Sequence, residues 1–165
     1  MQLFDTKLHK HKGRYVGQCL LATASAMVVL LVLDAMSNAA IIASLGASCF
    51  IAFTMPHGAI SSPRYLVGGY VVGLAVGTGC HWLSRMPLPE GWFLVHHDVF
   101  FGALAIGLAT FIMVVTNTEH PPAAGVALGL VVQEWSLLTV VVVFVGIVLL
   151  WTIKRLLKPL LVDLL

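Results

Sequence analysis

The chain has 165 residues, of which 59% are hydrophobic and only 10% charged, and its mean hydropathy is +0.99. A soluble domain carries about 25% charged and about 45–50% apolar residues, so this chain has too few charges to cover a globule and too much apolar material for one core. That excludes an ordinary soluble enzyme, a disordered tail and a nucleic-acid binder, and points to a single integral membrane domain over residues 1–165.

The net charge of +2 hides a pattern. Residues 1–14 hold Lys7, Lys10, Lys12 and Arg14 against Asp5, and residues 154–165 hold Lys154, Arg155 and Lys158 against Asp163, while the stretch between is net acidic. By the positive-inside rule both basic tails are cytoplasmic, which requires an even number of crossings of a cell inner membrane.

A bilayer core of about 30 Å takes roughly 20 apolar helical residues. Six apolar segments follow in order: 15–33, 39–55, 66–82, 99–116, 121–133 and 136–153. The nine basic and seven acidic residues all fall outside them. The first segment is longer than the hydrophobic region of a signal peptide, about 7–15 residues, and reads as a span. The second is marginal in length and rich in small residues from Ala43 to Ser48. The third carries Gly69, Gly73 and Gly77 at intervals of four. With Gly102 and Gly107 of the fourth segment, these form small faces that let helix backbones approach closely in lipid. Tight packing of segments three and four is expected, extending across a dimer. The fifth segment is too short to cross unless it starts in protein or water. The sixth is a full span. Cys19, Cys49 and Cys80 lie within apolar segments and read as small buried hydrophobes.

The expected fold is therefore all-α, a polytopic transmembrane bundle with four long spans and two short or broken segments. Six crossings are preferred, with loop 56–65 inside. In a four-crossing arrangement segments two and five dip in and return, and loops 56–65 and 83–98 exchange sides. The loop 83–98, with Pro87, Pro89 and Gly91, divides the chain into halves of three segments whose middle member is the shorter. That is the plan of a 3+3 inverted repeat.

Two stretches put polar or helix-breaking groups next to membrane-depth segments. In the first, Ser44 and Ser48 share one helical face beside Gly46, either lining a pore or bonding back to their own helix; Pro63-Arg64 follows. In the second, Thr116 to His120 breaks the fourth segment and Pro121-Pro122 launches the fifth, as proline favours the first helical turn. The N–H groups after it, together with Gly125, make a helix N-terminus that attracts anions without a basic residue in the membrane. Arg64 and Glu119 are placed to pair across their loops. His120 serves either as a loop cap or as a donor to a substrate.

The sequence resembles the HPP family of integral membrane proteins, named for a His-Pro-Pro motif. That motif stands here as His120-Pro121-Pro122, with Ser44-Leu45-Gly46-Ala47-Ser48, Pro63-Arg64 and Gly68-Gly69 in the order and spacing of the family. Leu45 replaces the usual aromatic, Tyr65 follows Pro-Arg where Asn is commoner, and the glycine after His-Pro-Pro comes one residue late, at Gly125. The resemblance implies a membrane domain of about four spans and, as described for some members, nitrite transport.

The leading expectation is a permease or channel for a small inorganic anion, with nitrite the first candidate. Ser44, Gly46 and Ser48 would line the path from one half, and His120, Pro121, Pro122 and Gly125 from the other. Arg64 would draw anions to the mouth. A homodimer or higher homo-oligomer is expected in the lipid bilayer, with no cofactor, no metal, no nucleic acid and no enzymatic activity. Two alternatives stand beside it. A metal-cation transporter would use histidines such as His96-His97 with Asp98, and an assembly subunit would have no transport of its own. An intramembrane hydrolase with Ser48 as nucleophile and His81 or His120 as base ranks last, because the second glycine of that motif is replaced by Cys49.

Overall fold

The structure, a computed structural model, describes residues 6–33, 39–86 and 97–164. Asp34, Pro87, Pro89, Gly91 and His96 lie outside them. The described residues form six α-helices and no strand: α1 (Thr6–Leu33), α2 (Ala39–Thr54), α3 (Pro63–Ser84), α4 (His97–Thr116), α5 (Pro121–Val132) and α6 (Leu137–Leu157). Short 3-10 turns cover Ala59–Ser61 and Lys158–Leu160. All six expected segments are helices. The largest difference in extent is α1, which begins at Thr6 inside the basic stretch. In addition, α6 runs four residues past the expected end and takes in Lys154.

Local chemistry sets the boundaries. Pro63 opens α3 and Pro121 opens α5 at positions where a missing N–H costs nothing. Asn117, at φ 55°, closes α4. Its N–H reaches the Val114 carbonyl at 3.2 Å and the Thr118 N–H reaches Met113 at 2.9 Å, the pairing by which a left-handed residue satisfies the last carbonyls of a helix. Ser136 caps α6 by accepting from the Thr139 N–H at 3.0 Å.

Three helices are long and apolar enough to cross a membrane: α3, α4, and α6 with its following turn (Leu137–Leu160). The described apolar part of α1 runs from Val16 to Val28, and α2 and α5 are also shorter. Contacts fix the chain directions. Along α3, Gly69 meets His120, Gly73 meets Ala123 and Gly77 meets Ala127, so α3 and α5 run parallel. Ser44 meets Gly125, and Ile41 meets Gly129, so α2 runs antiparallel to α5. Gln18, near the start of the apolar part of α1, bonds both the Phe53 and the Val162 carbonyls. The start of that apolar part, the end of α2 and the C-terminal segment thus share one end of the bundle. Loop 55–62 lies there too, since the Leu164 N–H donates to Thr54 O at 2.8 Å and the His57 N–H to Asp163 at 3.0 Å.

The glycine stripe of α3 corrects the packing read from sequence. Its partner is α5, with α4 packing beside the pair. A Cβ at Gly69 would lie 2.6 Å from His120 Cβ, one at Gly77 would lie 2.8 Å from Ala127 Cα, and one at Gly73 would overlap the Ala123 carbonyl oxygen. Even Gly102 of α4 faces α5, at Leu128, whereas a Cβ at Gly107 would meet nothing. A helix of 12 residues is about 18 Å long, too short for lipid at both ends, and it is enclosed by protein on three sides. Cys49 and Cys80 are buried as expected, but Cys19 is exposed.

Replacing Gly73 by Ala forces the Ala123 backbone to move, and overpacking of this kind costs about 1–3 kcal/mol. Gly79→Ala, on the same helix with open space around it, removes a helix-destabilising residue. Thermal unfolding in detergent is expected to show a lowered midpoint for Gly73→Ala and an unchanged or raised one for Gly79→Ala.

Candidate functional site

The two short helices meet as expected. The contact between Ser44 and Gly125 lies level with the stretch between Gly73 and Gly77, the middle of α3. A Cβ at Gly125 would stand 2.5 Å from Ser44 Oγ, so the missing side chain is what admits the hydroxyl. One turn nearer the start of α3, Ser48 Oγ lies 2.8 Å from His120 Nε2 and 2.9 Å from the Tyr70 hydroxyl. Ser48, Tyr70 and His120 are all fully buried.

Proton counting orders this cluster. Ser44 Oγ donates to Ala40 O at 2.8 Å, and Ser48 Oγ donates to Ser44 O at 2.9 Å. A serine hydroxyl has one proton and two acceptor sites. With its proton on Ser44 O, Ser48 accepts from the Tyr70 O–H and from a protonated Nε2 of His120, and all three contacts are satisfied. His120 Nδ1 is then bare and buried, with no partner in full hydrogen-bond geometry, although the Ile60 backbone is close enough to interact with the ring. Moving the proton to Nδ1 reverses the last link: Ser48 would donate to Nε2, and an N–H would be presented at the orphan position. An unsatisfied buried polar atom costs about 1–3 kcal/mol, and such atoms call for an explanation.

The other expected residues separate. Gly46 lies on the opposite side of α2, where it lines an apolar groove of about 310 Å³ between α1 and α2 with Cys19, Cys49 and Phe50. The reason is helical geometry: position i+2 points some 200° away from Ser44. Pro121 is exposed and Pro122 half-buried. The start of α5 offers no free N–H as a ligand, because both prolines lack one and the Ala123 N–H bonds to His120 O at 2.9 Å; only the field of the helix dipole is left. Arg64 is not paired with Glu119. It donates from Nε to Asn117 O at 2.9 Å and from Nη2 to Thr116 O at 3.0 Å, closing the carbonyl end of α4, while Tyr65 donates to Asn117 Oδ1 at 2.9 Å.

Two participants escaped the sequence reading. Tyr70 follows Gly69 directly and was hidden among the packing glycines, although a phenol inside an apolar segment needs a partner. Lys154 stands in the basic tail by sequence, yet it is 4% exposed and donates to Ser61 O at 2.9 Å and Ser61 Oγ at 3.2 Å. Among the described residues no group of three or more His, Cys, Asp or Glu is placed to hold a metal ion. His97 spends one ring nitrogen on Ser84 O at 2.6 Å and the other on Asp98 at 3.2 Å.

A polar junction enclosed by apolar helices, several of span length, defines a multi-pass membrane protein. Residues 9–161 match the family described as HPP, transmembrane region, and the chain belongs to that family. No curated protein and no solved structure matches the chain.

Ser48→Ala leaves the Tyr70 hydroxyl and His120 Nε2 both without a partner, whereas Tyr70→Phe removes one donor cleanly. The expected losses are about 1–3 kcal/mol per orphaned group for the first and about 0.5–1.5 kcal/mol for the second. In the double variant the two effects should fall short of their sum, which unfolding of all three proteins in one detergent measures.

Proposed function

We propose that this chain is a permease or channel for a small inorganic anion, nitrite being the first candidate, with its path along the seam between α2 and α5. The observation that carries this reading is the buried Ser48–His120–Tyr70 cluster at the mouth of a helix too short to span. A switch of the His120 tautomer turns its orphan nitrogen into a donor, and the dipole of α5 adds a positive field at that point. Ser44 and Gly125 continue the seam inward. Mechanistically, solute enters when α2 and α5 part, exchanges water for the N–H of His120 and the hydroxyls of Ser48 and Tyr70, and passes Gly125 once the Ser44 hydroxyl that fills the space above it has moved away with α2.

Supporting a six-crossing arrangement, consecutive helices alternate in direction, and loop 55–62 shares an end with the C-terminal segment. The basic stretches then place both termini in the cytoplasm of a cell whose inner membrane holds the protein. Corresponding helices of the two halves run oppositely and each middle helix is short, as an inverted 3+3 repeat requires. Outward-facing Val99, Phe111 and Val115 on α4 offer a lipid or homo-oligomer surface.

The 2.8 Å contact of Ser48 with His120 also favours a second reading, a serine hydrolase. Against it, no side chain orients Nδ1 as the third group of a triad would, and Ser48 gives its proton to its own helix. A fluorophosphonate probe is expected to leave Ser48 unlabelled; labelling lost in His120→Ala would instead establish the hydrolase.

The transport test is nitrite flux into proteoliposomes at clamped potential. Parent protein is expected to carry nitrite, and Ser48→Ala and His120→Ala, shown to be folded and inserted, are expected to fall to the level of empty vesicles. Parental rates in both variants would remove the seam as the path.

A further inference from the structure

A second site lies away from the seam. Where α3 begins and α6 ends, a cavity of about 380 Å³ is lined by His57, Ser62, Trp151, Lys154, Arg155 and Lys158, among others. Three of these are basic side chains. Lys154 is nine-tenths buried and more, and its described contacts are with the neutral Ser61 carbonyl and hydroxyl. An ammonium has three donors, so one is left. Arg155 lies over the Trp151 ring, with its central carbon 5.3 Å from the ring centre. Among the described residues the ion pairs are His57 with Asp163 and His97 with Asp98, so Asp163 makes its close contact with His57 and acts on Lys154 only at longer range. A buried ammonium without a direct ion pair is disfavoured, and the first turn of α3 adds more positive field at the same spot.

We infer that this cavity binds a phosphate-type oxyanion, held by Lys154, Arg155 and Lys158. Such a group supplies the direct counter-charge that Asp163 does not, and it accepts from the third N–H of Lys154 and from the guanidinium. The volume is within the range of small-ligand sites, about 300–1,000 Å³. The cavity sits at the end of the apolar stretch Leu137–Leu160, the level at which tryptophans and lipid head groups meet, and basic pockets between membrane helices take anionic head groups. The oxyanion is therefore either the phosphodiester of an anionic lipid or free phosphate. The site stands apart from the seam, so the transport reading can fail while it holds.

The test uses the full chain in detergent. Retention of phosphatidylglycerol is compared with that of phosphatidylcholine by native mass spectrometry, and inorganic phosphate is titrated calorimetrically. Arg155 and Lys158 are exposed, so the Arg155→Gln/Lys158→Gln protein keeps its packing; Lys154→Met is the second variant, judged only if it elutes as folded protein. Selective retention of phosphatidylglycerol, weakened about tenfold or more in the double variant, supports the site with lipid as its source. Phosphate binding weakened to the same degree, without lipid selectivity, supports it with a free oxyanion. If parent and double variant are indistinguishable in both arms, the basic residues serve only orientation and the helix end, and the site is overturned.

Discussion

A helix of 12 residues cannot cross a bilayer, and everything around α5 follows from the need to wrap it. In lipid its ends would leave backbone groups unsatisfied at a cost of several kcal/mol each, so protein must reach it on every side. Small residues make that possible. Gly69, Gly73 and Gly77 of α3 lie against its backbone, Gly125 and Gly129 admit α2, and Gly102 admits Leu128 from the side of α4. The prolines at its start dispense with two N–H groups that would have no partner within the helix, and Ala123 satisfies the next one on His120. The same device that makes the short helix tolerable removes the free donors that an anion would have used, which leaves the side chains of Ser48, Tyr70 and His120 as the polar chemistry at this junction.

Much of this was legible in the sequence. Apolar run lengths and prolines gave the six helices, because those signals are local. That the two short helices meet was expected from two short segments in matching positions, whereas which residue faces which across the seam was not. What failed was whatever depended on partners. The four-residue glycine spacing announces close approach without saying to what, and the neighbour proved to be α5. Gly46 was grouped with its flanking serines by proximity in sequence, although two residues along a helix face opposite ways. Arg64 looked like a free cation, yet a left-handed turn at Asn117 brings the end of α4 within its reach.

Charge was the least readable feature. Lys154 counts as one more basic tail residue in any orientation argument, but the helix continues through it and the 3-10 turn at Ala59–Ser61 folds over its ammonium. The C-terminal residues that follow also pack instead of trailing away: Leu161 is buried and Val162 is held through its carbonyl by Gln18. The basic stretch that reads as an orientation signal in the sequence thus also lines a pocket.

The interlock of α3 with α5 also sets how the protein moves. Backbone packed on backbone has no rotamers to exchange, and overlap at any of three glycine positions blocks sliding, so the two helices behave as a single rigid rod. The seam with α2 is different, being joined by a few hydrogen bonds and one hydroxyl in the space above a glycine. Motion should therefore concentrate there, with α1 and α2 rocking as a unit against the rod on the microsecond-to-millisecond scale of collective helix shifts, while the glycine contacts stay unchanged.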